Sequence, residues 1–334
     1  MQYRTLGESD STLPVISFGA GPVSGLMVGR NATAQLETIS HAVDSGINYF
    51  DTAATYGSGR SETALGIALE TLHLRDRVRI ATKVRLMPEQ LGDIGRAVRE
   101  SFESSCRRLG VERVMLLQLH NSITENRNDL PTSLTVHDVL GRDGVVSEFE
   151  KLRQEGRIDH IGFTGLGDRN SLRKVISNGP FETAQVPLHV LLPLTGVDAS
   201  AGSVDVNYRE LSLLCHDYCI GVIGIRVLAG GALAGQKPSA HTHKTKFFPM
   251  DLYQRDRNRT EKMAQLLPET ISPVAASIRY VTGNLQATTA LIGFSTPTQI
   301  DQTITALKEG PLEEALVQQI ETLPVSGMQE GEAD

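Results

Sequence analysis

Residues 46–62 read GINYFDTAATYGSGRSE, and this stretch decides the fold. It begins as a buried strand of large apolar residues up to Phe50 and places Asp51 where the strand ends. A small-residue turn leads to Tyr56, and a helix is expected after Gly57-Ser58-Gly59. A carboxylate closing an apolar strand is costly to bury alone, so Asp51 requires a cationic partner from elsewhere in the chain.

The same strand-then-helix rhythm extends in both directions. A strand at 15–20 ends in the turn Gly19-Ala20-Gly21-Pro22. Leu36, Ile39 and Val43 then recur at helical spacing, with Gly46 at the C-terminal cap position. Strands follow at 47–52, 78–84 and 114–119, the last running into His120. Between them lie helices carrying Leu65 and Leu69, then Ile94, Val98, Phe102, Cys106 and Leu109. A polar segment (121–144) precedes a helix with Val145, Phe149 and Leu152 inward. Further strands are expected at 161–166, 183–190, 222–228 and 289–294. Their helices carry Leu172, Val175 and Ile176; Leu211, Leu214, Cys215 and Tyr218; Val274, Ile278 and Val281; and Ile300, Ile304 and Leu307. An irregular insertion precedes the helix at Val274.

Eight short apolar strands joined by amphipathic helices require parallel pairing with right-handed crossovers. Eight such units predict an α/β fold, a closed (β/α)8 TIM barrel. A polar hairpin over 3–13 precedes it and an extra helix over 311–323 follows. The barrel is expected to occupy 1–325 as one domain, with an acidic, disordered tail at 326–334. An open doubly wound sheet is disfavoured, because Gly19-Ala20-Gly21 lacks the third glycine of a dinucleotide fingerprint.

The composition agrees with a soluble globular chain: 334 residues, 40% hydrophobic and 21% charged. A net charge of -7 argues against nucleic acid as partner. No apolar run is long enough to span a bilayer, and the N-terminus lacks the pattern of a signal peptide. Three cysteines suggest reduced thiols and a cytoplasmic location.

In such a barrel, chemistry gathers at the C-terminal ends of the strands. Asp51 stands after the second strand with Tyr56 in its loop, Lys83 ends the third (Ile80-Ala81-Thr82-Lys83-Val84), and His120 follows the fourth. Lys83 is therefore the natural partner for Asp51. A phenol titrates near ~10 in water, and a neighbouring ammonium favours its phenolate. Asp51 would keep Lys83 charged, and His120 would orient a carbonyl oxygen. Such a proton donor, aimed at an oxygen that becomes negative, suits carbonyl reduction by hydride.

With GINYFDTAATYG, ATKV, LLQLHN, IGFTG, the Gln185 strand and IGFSTPTQI in place, nearly the whole chain resembles the aldo-keto reductase superfamily. The resemblance implies a barrel that binds NADP(H) or NAD(H) without a Rossmann domain. It implies a catalytic tetrad of Asp51, Tyr56, Lys83 and His120, with Tyr56 as general acid/base. The family's carboxamide-binding Ser-Asn falls on Thr164-Gly165, so the second amide contact is lost, and Gln185 matches the glutamine that holds the same carboxamide. Gly21 falls among the cofactor positions. Ile225 replaces the aromatic residue that stacks on the nicotinamide. Arg226 and the backbone of Leu228, Gly230 and Gly231 would follow the pyrophosphate. GIRVLAGGAL resembles the branch that includes galactose and fucose dehydrogenases.

At the adenosine end the residues after the eighth strand are the neutral Ser295 and Gln299, which lean toward NAD(H), because a neutral site compensates a 2′-phosphate poorly. The insertion 237–259, with six Lys/Arg against two acids, would supply charge for NADP(H). Both cofactors stay open. Its plain alternative is a solvated basic loop.

No metal site is expected. His241-x-His243 lacks a third ligand, and Cys215 and Cys219 read as core thiols beside an outward His216. The 121–144 segment is expected to wall the pocket of a small carbonyl or sugar substrate. The absence of tryptophan favours a polar or small one. Two other functions compete: a Schiff-base aldolase using Lys83, and a non-catalytic cofactor-sensing or scaffold protein on the same fold. Neither the favoured direction nor the oligomeric state, monomer or homo-oligomer, follows from these residues.

Overall fold

The computed structural model describes residues 1–192, 206–244, 248, 250–285 and 287–323. Strands β1 (Tyr3–Thr5) and β2 (Thr12–Pro14) pair antiparallel as a hairpin. The barrel strands are β3 (Ile16–Gly19), β4 (Tyr49–Asp51), β5 (Arg79–Val84) and β6 (Val114–Leu119), then β7 (Ile158–Thr164), β8 (Thr183–Pro187), β9 (Gly221–Ile225) and β10 (Thr289–Ile292). They lie in sequence order, all parallel, and β10 returns to pair with β3 and close the ring. Every residue of β6 is buried, as a strand covered by helices outside and side chains inside must be.

The surrounding helices are α1 (Ala32–Asp44), α2 (Arg60–Thr71), α3 (Ile94–Leu109), α4 (Val136–Leu140), α5 (Val145–Gln154) and α6 (Arg169–Asn178). They continue with α7 (Tyr208–Asp217), α8 (Met250–Ala264), α9 (Pro273–Arg279), α10 (Pro297–Lys308) and α11 (Glu314–Glu321). Helix α3 shows how sequence makes such an element. Asp93 accepts from the Arg96 N–H at 3.1 Å, satisfying one orphan donor, and Gly110 closes the far end at φ 66°. Ile94, Val98, Phe102, Cys106 and Leu109 form its buried stripe.

Inside the barrel, Tyr49, Ala81, Leu116 and Ile223 form a lumen cluster with Leu6 and Leu13 of the hairpin. The hairpin therefore stoppers the N-terminal end. Ser11 Oγ meets His160 Nε2 at 2.8 Å, and His160 Nδ1 meets Glu182 Oε1 at 2.8 Å, fastening it to β7 and the start of β8. Arg4 donates to the carbonyls of Ala287 and Thr282 at 2.5 and 2.6 Å. A side chain at Gly7, φ 56°, would put a Cβ 2.5 Å from the Cys219 carbonyl, so only glycine fits this approach.

Several expectations need correction. β7 starts at Ile158, three residues before the expected 161, so His160 lies within the strand. Several strands stop short of the expected ends: β8 at Pro187, which has no N–H to donate, and β9 where Arg226 turns to φ 56°. The insertion is not wholly irregular, since α8 occupies its second half. The buried face of α8 includes Asp256 and Arg259 beside Leu252, Tyr253 and Met263, which hides the helical period. Tyr218 is exposed at the end of α7 instead of packing inward. The tail at 326–334 lies outside the described residues. Among the described residues no helix is long and apolar enough to cross a membrane.

Candidate active site at the barrel mouth

The register of neighbouring strands sets the geometry. Asp51 pairs with Ala81, which puts Lys83 two residues further along β5 on the same inward face. The turn after β4 carries Tyr56, and Gly57, Ser58 and Gly59 all take positive φ (60°, 56° and 87°) before α2 begins at Arg60. That left-handed run folds the loop back so that the Tyr56 hydroxyl meets Lys83 Nζ at 3.3 Å. Lys83 Nζ also bonds Asp51 Oδ1 directly and donates to the Thr52 carbonyl at 3.0 Å. Asp51 and Lys83 are each 1% exposed, so the expected cationic partner is found and the pair is sealed from solvent.

Asp51 Oδ2 receives two further bonds, from Gln118 Nε2 at 2.9 Å and from Gln185 Nε2 at 2.6 Å. Burial alone would lower the Lys83 pKa, but Asp51 and then Tyr56 outweigh it and hold the ammonium above its ordinary range. His120 goes the other way. Burial first, then the charges of Arg85, Lys83 and His241, push it well below the usual histidine value, so the imidazole is neutral near pH 7. Its ring stands edge-on to Tyr56, centroids 5.6 Å apart, and its Nδ1 lies 3.3 Å from Thr55 Oγ1. With that hydroxyl donating to Nδ1, Nε2 carries the proton and can donate.

Four contributors escaped the reading of the sequence. Gln118 showed only as a lone polar residue in VMLLQL. Arg85, two residues beyond Lys83, donates to the His120 carbonyl at 3.0 Å, and its charge reaches Tyr56. Thr55 touches His120 from the Tyr56 loop. His241, from the insertion, bears on His120 although nothing in its local sequence pointed there.

Residues 15–324 match the profile described as the Aldo/keto reductase family. The chain belongs to that family. This aldo/keto reductase is 25% identical over 317 residues to L-galactose dehydrogenase of Arabidopsis thaliana, covering 92% of this chain and 89% of that protein. It is 25% identical over 316 residues to D-threo-aldose 1-dehydrogenase of a Pseudomonas species, covering 87% and 88%. The holo form of aldo-keto reductase AKR11C1 from Bacillus halodurans superimposes with a TM-score of 0.71 at 22% identity over 98% of both chains. Glycerol dehydrogenase AKR11B4 from Gluconobacter oxydans gives 0.68 at 21% identity, over 96% of this chain and 94% of that one. The two structures share the barrel fold.

Family membership makes the chain a nicotinamide-dependent oxidoreductase, and the residues opposite the acid fit such a cofactor. In the reductase, Thr164 Oγ1 at the end of β7 is buried without a hydrogen-bond partner among the described residues, and a carboxamide would satisfy it. At Gly165 a Cβ would stand 3.1 Å from Leu211 Cδ2 and 3.2 Å from the Gln185 carbonyl, which accounts for glycine where the family pattern has a longer residue. Gln185 also serves Asp51, to which its amide nitrogen donates. Gly21 lies beside the Tyr56 ring, where a Cβ would be 3.7 Å from Cε2.

Ile225 ends β9, half-buried. Arg226 lies over the Phe248 ring, 3.9 Å from its centroid, with Nη2 3.7 Å from Asp256 Oδ2. Leu228 leads into a 3-10 segment, Ala229–Ala234, in which Gly230 and Gly231 adopt φ 67° and 99°. Ser295 and Gln299 bond one another, Ser295 N–H to Gln299 Oε1 at 2.7 Å, and Ser295 Oγ donates to the Ser24 carbonyl at 2.9 Å. In the insertion, Arg255 pairs with Asp256 at 3.0 Å, Arg257 with Glu261 at 3.3 Å, and Arg259 with the Leu191 carbonyl. Lys237 and Lys244 are exposed, and Lys246 lies outside the described residues. Among the described residues no group of three or more metal-binding side chains assembles.

Proposed function

We propose that this enzyme transfers a hydride between NAD(H) or NADP(H) and a small carbonyl or alcohol, with Tyr56 as the general acid/base. The observation that carries the reading is the buried Asp51–Lys83 pair ending 3.3 Å from the Tyr56 hydroxyl. The nicotinamide supplies the hydride. Tyr56 gives its proton to the carbonyl oxygen as that oxygen gains charge, and the Lys83 ammonium stabilises the phenolate left behind. Neutral His120 donates from Nε2 to the same oxygen and fixes its direction. In the oxidative direction the same groups work in reverse.

Thr164 and the free oxygen of Gln185 would hold the carboxamide, with Ile225 giving apolar contact. Arg226 and the 228–231 backbone would follow the diphosphate, and Gly21 lets the ring of Tyr56 approach. At the adenosine end, the neutral Ser295–Gln299 pair and the internally engaged arginines of α8 support NAD(H) over NADP(H). Relatives named for L-galactose and D-threo-aldose support a sugar or polyol-type substrate. A Schiff-base role for Lys83 is disfavoured, because a nucleophilic amine must be neutral and reachable while this one is buried and held charged by Asp51.

The test is Tyr56→Phe, assayed with NADH and NADPH against aldehydes, ketones and sugars. Turnover should fall by roughly 10²–10⁴-fold with cofactor affinity preserved. Turnover equal to the parent enzyme would remove Tyr56 from the mechanism.

A further inference from the structure

We propose that Gln118 is a positioning residue for the proton donor, holding Asp51 in the orientation that keeps Lys83 against Tyr56. The proposal rests on the hydride-transfer reading of this site. Gln118 is the one polar residue of β6 and is fully buried. Its Nε2 donates to Asp51 Oδ2 at 2.9 Å, yet its Oε1 is buried with no hydrogen-bond partner among the described residues. A carbonyl oxygen hidden from both water and donors is destabilising, and an apolar side chain of the same size would avoid that cost. Packing therefore gives no reason for an amide here. The single bond to Asp51 does.

The neighbouring strand places a glycine against this side chain, although Thr183 is what excludes a larger residue there. Gln118 pairs across the ladder with Gly162 of β7, where a Cβ would come within 2.0 Å of Thr183 Oγ1 and 3.2 Å of Gln118 Cγ. On the other side Gln118 pairs with Lys83, so its amide reaches past β5 to the carboxylate on β4. Lys83 bonds Asp51 Oδ1 and the amides bond Oδ2, so the carboxylate is gripped at both oxygens and cannot turn.

The two amides differ in what else they face. Gln185 adjoins Thr164 on the neighbouring strand, at the carboxamide position, so its oxygen has a second task beside the bond to Asp51. No cofactor position falls on β6, so Gln118 keeps its bond throughout. The ionisable groups around Asp51 are Tyr49 on its own strand, Lys83 on β5 and Tyr56 in the loop. Arg85 and His120 flank Tyr56, and His241 bears on His120. Tyr49, raised by burial and then by Asp51, stays neutral across the working range.

Without Gln118 the carboxylate keeps one amide bond at Oδ2 instead of two, its hold on Lys83 loosens, and the phenolate of Tyr56 loses part of the stabilisation that the ammonium gives it. The experiment compares the full-length enzyme with Gln118→Met and Gln118→Leu in three measurements. These are kcat and KM against pH, the melting temperature, and the phenolate absorbance of the protein without nicotinamide, each taken relative to the same protein carrying Tyr56→Phe.

The variants should lose about tenfold in kcat with KM nearly unchanged. The basic limb of the kcat profile and the onset of Tyr56 phenolate absorbance should both move up by about one pH unit. The melting temperature should stay or rise. Parental kcat with an unmoved limb overturns the proposal. So does a lower kcat accompanied by a lower melting temperature and an unmoved limb, which is what a merely structural residue would give. If the parent enzyme reduces no carbonyl, the hydride-transfer reading fails by itself. The absorbance measurement still decides Gln118, and an onset unchanged by Gln118→Met overturns its role.

Discussion

Asp51 and Gln185 stand on opposite sides of the barrel, β4 and β8 being separated by three strands whichever way the ring is followed, yet a 2.6 Å hydrogen bond joins them across the lumen. Lys83 and Gln118 fill the arc between. The floor of the candidate site is thus a charged, hydrogen-bonded layer set on the apolar layer of Tyr49, Ala81, Leu116 and Ile223.

Because that layer is buried, its charges are interdependent. Asp51→Asn leaves the Lys83 ammonium unpaired and should cost about 3–5 kcal/mol of stability, measured by denaturant unfolding. Lys83→Met should also destabilise, leaving Asp51 its two amide bonds. The double variant should cost clearly less than the sum of the two, while carbonyl reduction falls to the Tyr56→Phe level in all three. Additive costs would show that the pair is not coupled.

Stability should fall as the solution is acidified below about pH 6.5, the ordinary histidine value. His120 and His189 are both held well below that value, each by burial first and then by neighbouring cations, which for His189 are Arg226, Arg259 and Arg255. The folded chain refuses protons that the unfolded chain accepts. Unfolding is therefore favoured as pH drops, and the contribution is fully present only above the unfolded value. His189→Gln should make the melting temperature less steep between pH 5 and 7, roughly the range where histidine titrates. An unchanged slope would remove His189 from the effect.

Cofactor choice should turn on a single cation. The parent enzyme is expected to bind NADH more tightly than NADPH in fluorescence titrations. Ser295→Arg, placing a guanidinium beside Gln299, should shift the ratio toward NADPH by at least about tenfold, the order expected of a charge-assisted pair with phosphate. A ratio that does not move would place the adenosine elsewhere.

Gly167 should tolerate no side chain. Its φ is 147°, and a Cβ would lie 1.8 Å from the Ile123 carbonyl, which itself accepts from the Asp168 N–H at 3.0 Å. Gly167→Ala should cost about 1–3 kcal/mol through backbone strain. It should also raise KM more than it lowers kcat, because the displaced segment follows His120 directly.

How far the residues announced all this depends on whether neighbours in sequence become neighbours in space. The eight strands were legible because each is short, apolar and bracketed by a helical stripe. The Asp51–Lys83 pair was legible because adjacent strands of a parallel barrel bring their ends together. The bond from Gln185 to Asp51 was not legible, since it crosses the lumen and no adjacency rule reaches that far. Helix α8 was missed because Asp256 and Arg259 sit on its inward face, where periodicity looks for apolar residues. His241 reaches His120 only through the path of the insertion.

The stopper formed by Leu6 and Leu13 also gives the molecule a handle. The hairpin turn between β1 and β2 lies at the end of the barrel away from Tyr56, and Glu8 and Asp10 at its tip are exposed. A tether or label attached at Asp10 would hold the enzyme by its closed end and leave the mouth facing solution. Surface immobilisation through that turn should therefore preserve turnover, whereas attachment through Lys237 or Lys244, on the insertion beside His241, would crowd the mouth of the proposed active site.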